Sequence, residues 1–169
     1  MRYLLLVVWL SILPGCGTMA FTPAEYPLRD GLIAPLSVAG AVSVSNAQPS
    51  SDQFIVYSYG GQQLASNLKA ITEVMVQQTQ KELQKNGKPT GSGAPKSIAL
   101  KVSSLISDYT MAFHWKSNIV FQATLGNGET LDYKVPHASG SPQQDLNGGI
   151  AEGVMTLLND GRVKAYLAR

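Results

Sequence analysis

The sequence predicts an α+β fold: a two-layer sandwich in the order β-α-β-β-β-α, with an antiparallel-rich sheet of about four strands and two helices on one face. Three observations carry that expectation. Apolar and polar residues alternate over 36–46 and again through 97–135, the period of half-buried strands. Between those regions Leu64, Leu68, Ile71 and Met75 recur at spacings of four, three and four, which places them on one face of a helix. Gly126-Asn127-Gly128 then interrupts the second alternating region, an Asn-Gly turn of the kind that joins antiparallel strands.

Taken in order, the chain begins with Arg2 and an apolar run, "YLLLVVWLSIL". A run of about 10 residues is too short to span a bilayer, which takes ~20, and suits the core of a secretory signal. It ends in Leu13-Pro14-Gly15-Cys16. This stretch resembles the bacterial lipobox, with an aliphatic residue at −3, a small one at −1 and the cysteine to be modified; Pro14 stands where that pattern usually has Ala, Ser or Thr. The resemblance implies a signal peptide over 1–15, diacylglyceryl transfer to the Cys16 sulfur, cleavage after Gly15 and acylation of the new N-terminus. Several acyl chains anchor a protein stably where one holds it marginally. Gly17 follows where an Asp would suggest inner-membrane retention, so the implied location is the periplasmic face of the outer membrane.

Residues 16–33 read as the lipidated N-terminus and a tether, since Pro23, Pro27 and Gly31 break any period. A single periplasmic domain is expected over 34–169. Within it, 36–46 is a strand, with Leu36, Val38, Val42 and Val44 on one side and serines on the other. Residues 53–61 are β-prone, either the second arm of a hairpin or an extended lead into the next element. The helix is predicted over 62–86, stopped by Asn86-Gly87. Strands follow at 97–109, 111–125 and 129–135, a meander. Residues 136–149 form a polar loop. A second helix spans 149–160, capped by Asp145 or Asn147, with Gly149 and Gly153 allowing close packing on the sheet. Gly161 interrupts, and 162–169 add a last turn or short helix. The long helix between the first two main strands allows them to run parallel through a crossover.

Composition narrows the function. Hydrophobic residues make up 44% of the chain and charged residues 14%, well below the usual charged share of about 25%. The formal charge of +2 includes Arg2 and shows no basic cluster, so nucleic-acid binding has no electrostatic footprint. Two histidines and one cysteine are too few for a dedicated zinc site. Cys16 is the only thiol and has no partner for a disulfide; lipidation would occupy it, which removes it as a nucleophile. His114, in Phe113-His114-Trp115, reads as a surface or edge histidine beside core aromatics, and His137 as a loop residue. Asp52, Asp108, Asp132, Asp145 and Asp160 are scattered without acid/base spacing, and no G-x-S-x-G, Walker or Rossmann pattern occurs. Met75, Met111 and Met155 read as core filler. Neither a catalytic residue nor a metal or cofactor site is expected.

The helix, the meander and the closing "IAEGVMTLLNDGRVKAYL", with Leu157-Leu158-Asn159-Asp160 and then Leu167, resemble the small YajG-type bacterial lipoproteins over roughly residues 34–168. The architecture is also broadly similar to the envelope auxiliary lipoproteins of the PqiC and LptE kinds. Gly161-Arg162 falls where that family often continues smoothly. The resemblance implies a non-enzymatic accessory or adaptor in envelope transport or assembly, held to the membrane by lipid on Cys16 and meeting a protein partner. A regulator of peptidoglycan synthesis or a part of a secretion or conjugation machine is the alternative.

Overall fold

A computed structural model describes residues 17–169; the leader, Leu13-Pro14-Gly15-Cys16 and with them the lipidation of Cys16 lie outside the described residues. The described residues form nine strands and three helices in the order β1 (Thr18–Ala20), β2 (Leu36–Val38), β3 (Val42–Asn46), β4 (Gln53–Tyr59), β5 (Gln62–Asn67), α1 (Leu68–Asn86), β6 (Gly87–Pro89), β7 (Lys96–Met111), β8 (His114–Leu125), β9 (Thr130–Ser139), α2 (Pro142–Asn159) and α3 (Gly161–Ala168). The class is α+β, as expected. The sheet is larger than four strands: seven strands run β1-β5-β4-β7-β8-β9, with β3 also paired to β7, and β2 and β6 make a separate two-stranded sheet.

The meander β7-β8-β9 is the centre. β7 and β8 pair antiparallel from Ile98↔Leu125 to Met111↔His114, and β8 and β9 from Trp115↔Ser139 to Thr124↔Thr130. Its inner face is apolar and fully buried at Ile98, Leu100, Val102, Leu105, Ile119 and Phe121. The Asn-Gly turn forms as predicted, with Gly128 at positive φ and its N–H donating to the Leu125 carbonyl at 2.9 Å.

β3 and β4 both run parallel to β7 but occupy different parts of its edge, β3 over Lys96–Leu100 and β4 at Ser107. Val102 lies in the gap between them. Its backbone is satisfied by side chains instead: Gln48 Nε2 donates to its carbonyl at 2.5 Å, and its N–H donates to Thr72 Oγ1 at 3.2 Å. Buried backbone groups at a strand edge must find such partners.

Three expectations are corrected here. Residues 62–67 are strand, not the first turns of the helix. Gly60 and Gly61 both take positive φ, the turn geometry that sends a hairpin straight back, and Asn67 caps α1 by accepting from the Ala70 N–H at 2.8 Å. Residues 36–46 are two strands rather than one, because Gly40 at φ 81° turns the chain from β2, which pairs with β6, to β3, which pairs with β7. A side chain at Gly40 would collide with the Gly93 carbonyl. The second helix begins at Pro142 rather than 149, with Ser141 as its cap, accepting from the Gln144 N–H at 3.3 Å, while β9 runs on to Ser139 through the expected loop.

Residues 17–33 are not a loose tether over the described part. β1 pairs with β5, Phe21 and Ile33 are buried, and the strap between them is tied to both long helices. The Ala24 N–H donates to Asn147 Oδ1 at 3.0 Å, Gln78 Nε2 to the Tyr26 carbonyl at 2.7 Å, and Asn159 Nδ2 to the Leu32 carbonyl at 2.8 Å. Lys81 pairs with Glu25 at 2.9 Å, an exposed contact of little energetic weight.

Both α1 and α2 lie on the inner face of the sheet and touch each other. α2 approaches closely because its facing positions are glycines. A Cβ on Gly153 would sit 3.3 Å from both Met75 Cε and Phe121 Cε1. α3 closes one end: Asp160 caps it, accepting from the Arg162 N–H at 2.8 Å and from the Tyr133 hydroxyl at 2.9 Å, and the Arg162 guanidinium holds the Asp160 carboxyl down at about 2. The Tyr166 hydroxyl accepts from the N–H groups of Ser97 and Gly126, each at 3.1 Å.

Overpacking a filled core costs about 1–3 kcal/mol, so Gly153→Val should lower the unfolding free energy by that amount, shifting the urea midpoint down without changing the slope. Gly161 faces open space at ordinary φ, and Gly161→Ala should be neutral or stabilising by up to about 1 kcal/mol. Equal responses of the two variants would contradict the close seating of α2.

Candidate interaction surface

The inner face of the meander changes character along its length. Leu105 and Ile119 lie under α2. One step further, Ser107 and Ser117 face each other across β7 and β8 and are both buried. One step beyond these, Tyr109 pairs with Trp115, and there the helix layer has ended.

The change is set by Asp145 in the first turns of α2. Its side chain is fully buried; Oδ2 accepts from Ser107 Oγ at 2.6 Å, its main-chain carbonyl accepts from Ser117 Oγ at 3.2 Å, and Oδ1 has no partner. Burial pushes the Asp145 carboxyl up, against the opposing influence of the Ser107 hydroxyl and the His137 side chain. A carboxyl taken out of water favours its neutral form. Gly148 and Gly149 permit the approach: a Cβ on Gly148 would run into the His137 ring, and one on Gly149 would meet Ser117 Oγ at 3.0 Å.

His137 is therefore a strand residue of β9 under α2, not a loop residue, with Nδ1 3.9 Å from Glu152 Oε2. His114 lies beside the hairpin tip, and its neighbour Phe113 is not a core aromatic: it is 83% exposed at φ 57° in the two-residue turn between β7 and β8. Met111 is 63% exposed and is no core filler, whereas Met75 is fully buried and Met155 packs at the edge of the core. The scattered aspartates do not converge, and among the described residues no three His, Cys, Asp or Glu side chains come together in the manner of metal ligands.

Past the end of α2 the aromatics cover one another. Tyr109 stacks on Tyr59 with ring centroids 4.0 Å apart and meets Trp115 edge-on at 5.6 Å. Trp115 Nε1 donates to the Tyr57 hydroxyl at 3.3 Å. Tyr59 is 52% exposed, and with Phe113 and Met111 it makes this end of the sheet apolar to solvent. The two hairpin tips, Gly60-Gly61 and Ala112-Phe113, lie at this same end, because β4 runs parallel to β7. β1 runs parallel to β5 with Thr18 opposite Gln63, so the described chain also begins there. Phe113 and Trp115 read in the sequence as core aromatics, and the signal against Phe113 is the two-residue turn that places it at a tip, as Gly60-Gly61 places Tyr59 at another.

A groove of about 510 Å³ lies where the C-terminal part of α1 meets β2, β3 and β6, and is lined by Val38, Val42, Leu83, Pro89, Gln80 and Gln84 among others. None of its lining groups titrates. No described helix is long and apolar enough to cross a membrane.

The elements so far define an α+β domain whose mixed sheet is covered on one face by two helices and bare-ended at its hairpin tips. No family model matches the chain, and no curated protein matches it. Among solved structures it is similar to protein XCC0632 from Xanthomonas campestris, of family DUF330, with a TM-score of 0.54 and 15% identity over 89% of this chain and 95% of that one. An uncharacterised protein aligns at a TM-score of 0.35 and 13% identity over 90% of this chain and 98% of that one. The likeness to XCC0632 is one of fold.

The Asp145 seat has a signature in pH. Its folded pKa is raised, so the neutral group is favoured in the folded state and that contribution is lost as pH rises from the ordinary carboxylate value of about 3.9 through the folded pKa. The stability of wild type minus that of Asp145→Asn should therefore fall across this window and then level off, read from urea unfolding at a series of pH values. A difference that stays flat would contradict a raised folded pKa at Asp145.

Proposed function

We propose that this chain is a non-enzymatic lipoprotein of the outer membrane, held at the periplasmic face by lipid on Cys16 and acting as an accessory or adaptor in envelope transport or assembly. The observation that carries the reading is Leu13-Pro14-Gly15-Cys16 placed directly before a folded domain whose first strand starts at Thr18. The resemblance to YajG-type lipoproteins, and more broadly to the PqiC and LptE kinds, supplies the accessory role. Two features of the domain agree with it. Its buried acid, Asp145, is sealed under α2 rather than presented to a substrate, and its groove is walled by aliphatic and amide side chains. What the domain does offer is surface: an apolar sheet end and an open outer sheet face, suited to contact rather than turnover.

Radioactive palmitate fed to growing cells should label wild type and fail to label Cys16→Ser, and the unlabelled variant should leave the membrane fraction. Equal labelling would remove the anchor from the proposal. Crosslinking in intact cells should recover a component of an envelope transport or assembly system; recovery of a peptidoglycan synthase instead would overturn the transport role while leaving the anchor intact.

A further inference from the structure

We infer that the end of the sheet bearing Phe113, Met111 and Tyr59 is a foot that rests on the bilayer, with the β7–β8 tip inserted among the lipids. The inference rests on the lipid-anchor reading of Cys16, and it adds which surface of the domain touches the membrane and by which residues.

Reach comes first. Thr18 is fixed to Gln63 by pairing in the sheet, and two peptide units separate it from Cys16, which spans at most about 7 Å. A lipid on Cys16 leaves the domain no length of tether with which to stand off from the bilayer. The end of the sheet where β1 begins must then face the lipid. That end holds the Gly60-Gly61 and Ala112-Phe113 tips, and neither tip carries a charge that insertion would have to desolvate.

Chemistry comes second. Phe113, Met111, Tyr59 and Met19 are 83, 63, 52 and 50% exposed, and all four lie at or next to this end. Behind them Tyr109 and Trp115 present ring systems with one polar atom each, the residue types that concentrate where membrane meets water. Phe113 is the sharpest sign. A bulky residue at φ 57° sits in a region where glycine or asparagine is the usual occupant, and its ring gains nothing from the fold because solvent surrounds it. Conformational strain held at an exposed apolar side chain points to a use outside the folded domain, and lipid is what the neighbouring anchor places there.

The test uses the full lipidated protein in vesicles of phosphatidylethanolamine and phosphatidylglycerol. With Cys16 acylated, a cysteine introduced by Ala112→Cys takes a nitroxide label at the tip without altering Phe113 or Met111; Asn127→Cys puts the same label in the β8–β9 turn at the opposite end. Flotation with the vesicles reports the anchor separately. On floated protein, ascorbate added outside should reduce the label at 112 several-fold more slowly than the label at 127, and adding Phe113→Ser and Met111→Ser should bring the two rates together. Equal rates on floated wild-type protein would overturn the foot while leaving the anchor standing, and would assign the apolar end to a protein partner. Failure to float would overturn both, since the foot has no bilayer to rest on without the anchor.

Discussion

Helix α2 sits on the meander with a carboxyl group carried into the core beneath it, and the layout of the domain follows from how that group is accommodated. An ionised Asp145 away from water would be very costly. The structure instead raises its pKa by burial, aims the Ser107 hydroxyl at one oxygen and uses the Ser117 hydroxyl to hold the residue's own main-chain carbonyl. The two serines are cross-strand partners, so α2 is pinned to β7 and β8 at once and at one height. Gly148, Gly149 and Gly153 then let the next turns lie close over His137, Ser117, Ile119 and Phe121, and α1 packs beside α2 through Met75 at Gly153. Shifting α2 along its axis would break both serine contacts and drive side chains into a space left only for glycine.

The opposite edge of β7 shows a comparable economy. Two short parallel strands share one long strand, and the residue between them would be left with bare backbone. Gln48 and Thr72 close that gap at Val102. Thr72 comes from α1 and Gln48 from the β3–β4 connection, so the helix layer and the sheet edge are fixed to the same peptide. Thr72 Oγ1 also donates to the Leu68 carbonyl at 2.7 Å, which leaves its lone pairs free for the Val102 N–H.

The meander, α1 from residue 68 onward, the parallel crossover and α3 were legible in the sequence because each has a strong period or a turn residue whose geometry is unambiguous. Residues 62–67 read as helix because Leu64 and Leu68 fit a helical spacing as well as a strand followed by a helix; Gly60-Gly61 is the local signal that separates the two. Gly40 in 36–46 was read through because alternation continues on both sides of it, although the two halves pair with different strands. The role of Asp145 was out of reach. As a polar residue in a polar-looking loop it resembles a cap, and only tertiary structure shows that β9 continues to Ser139, that Ser141 takes the capping role and that Asp145 turns inward. The strap over 17–33 was hidden for the same reason: its contacts with Gln78, Asn147 and Asn159 are all remote in sequence.

That one end of the sheet stands clear of the helix layer is a consequence of the Asp145 seat rather than a separate feature. With α2 held at Ser107 and Ser117, its cap at Ser141 leaves the last residue pairs of β7 and β8 beyond the helix layer. A protein with only the fold to satisfy would place polar residues there. This chain places Tyr109, Trp115, Tyr59, Met111 and Phe113, which shield one another only in part. Stacked aromatic pairs contribute about 0.5–1.5 kcal/mol beyond their buried area, enough to order Tyr59, Tyr109 and Trp115. That account stops short of Met111 and Phe113, which stand out in solvent at the tip. The core explains where the helix must end; it does not explain why the sheet continues past it in apolar residues, and a surface outside the domain does.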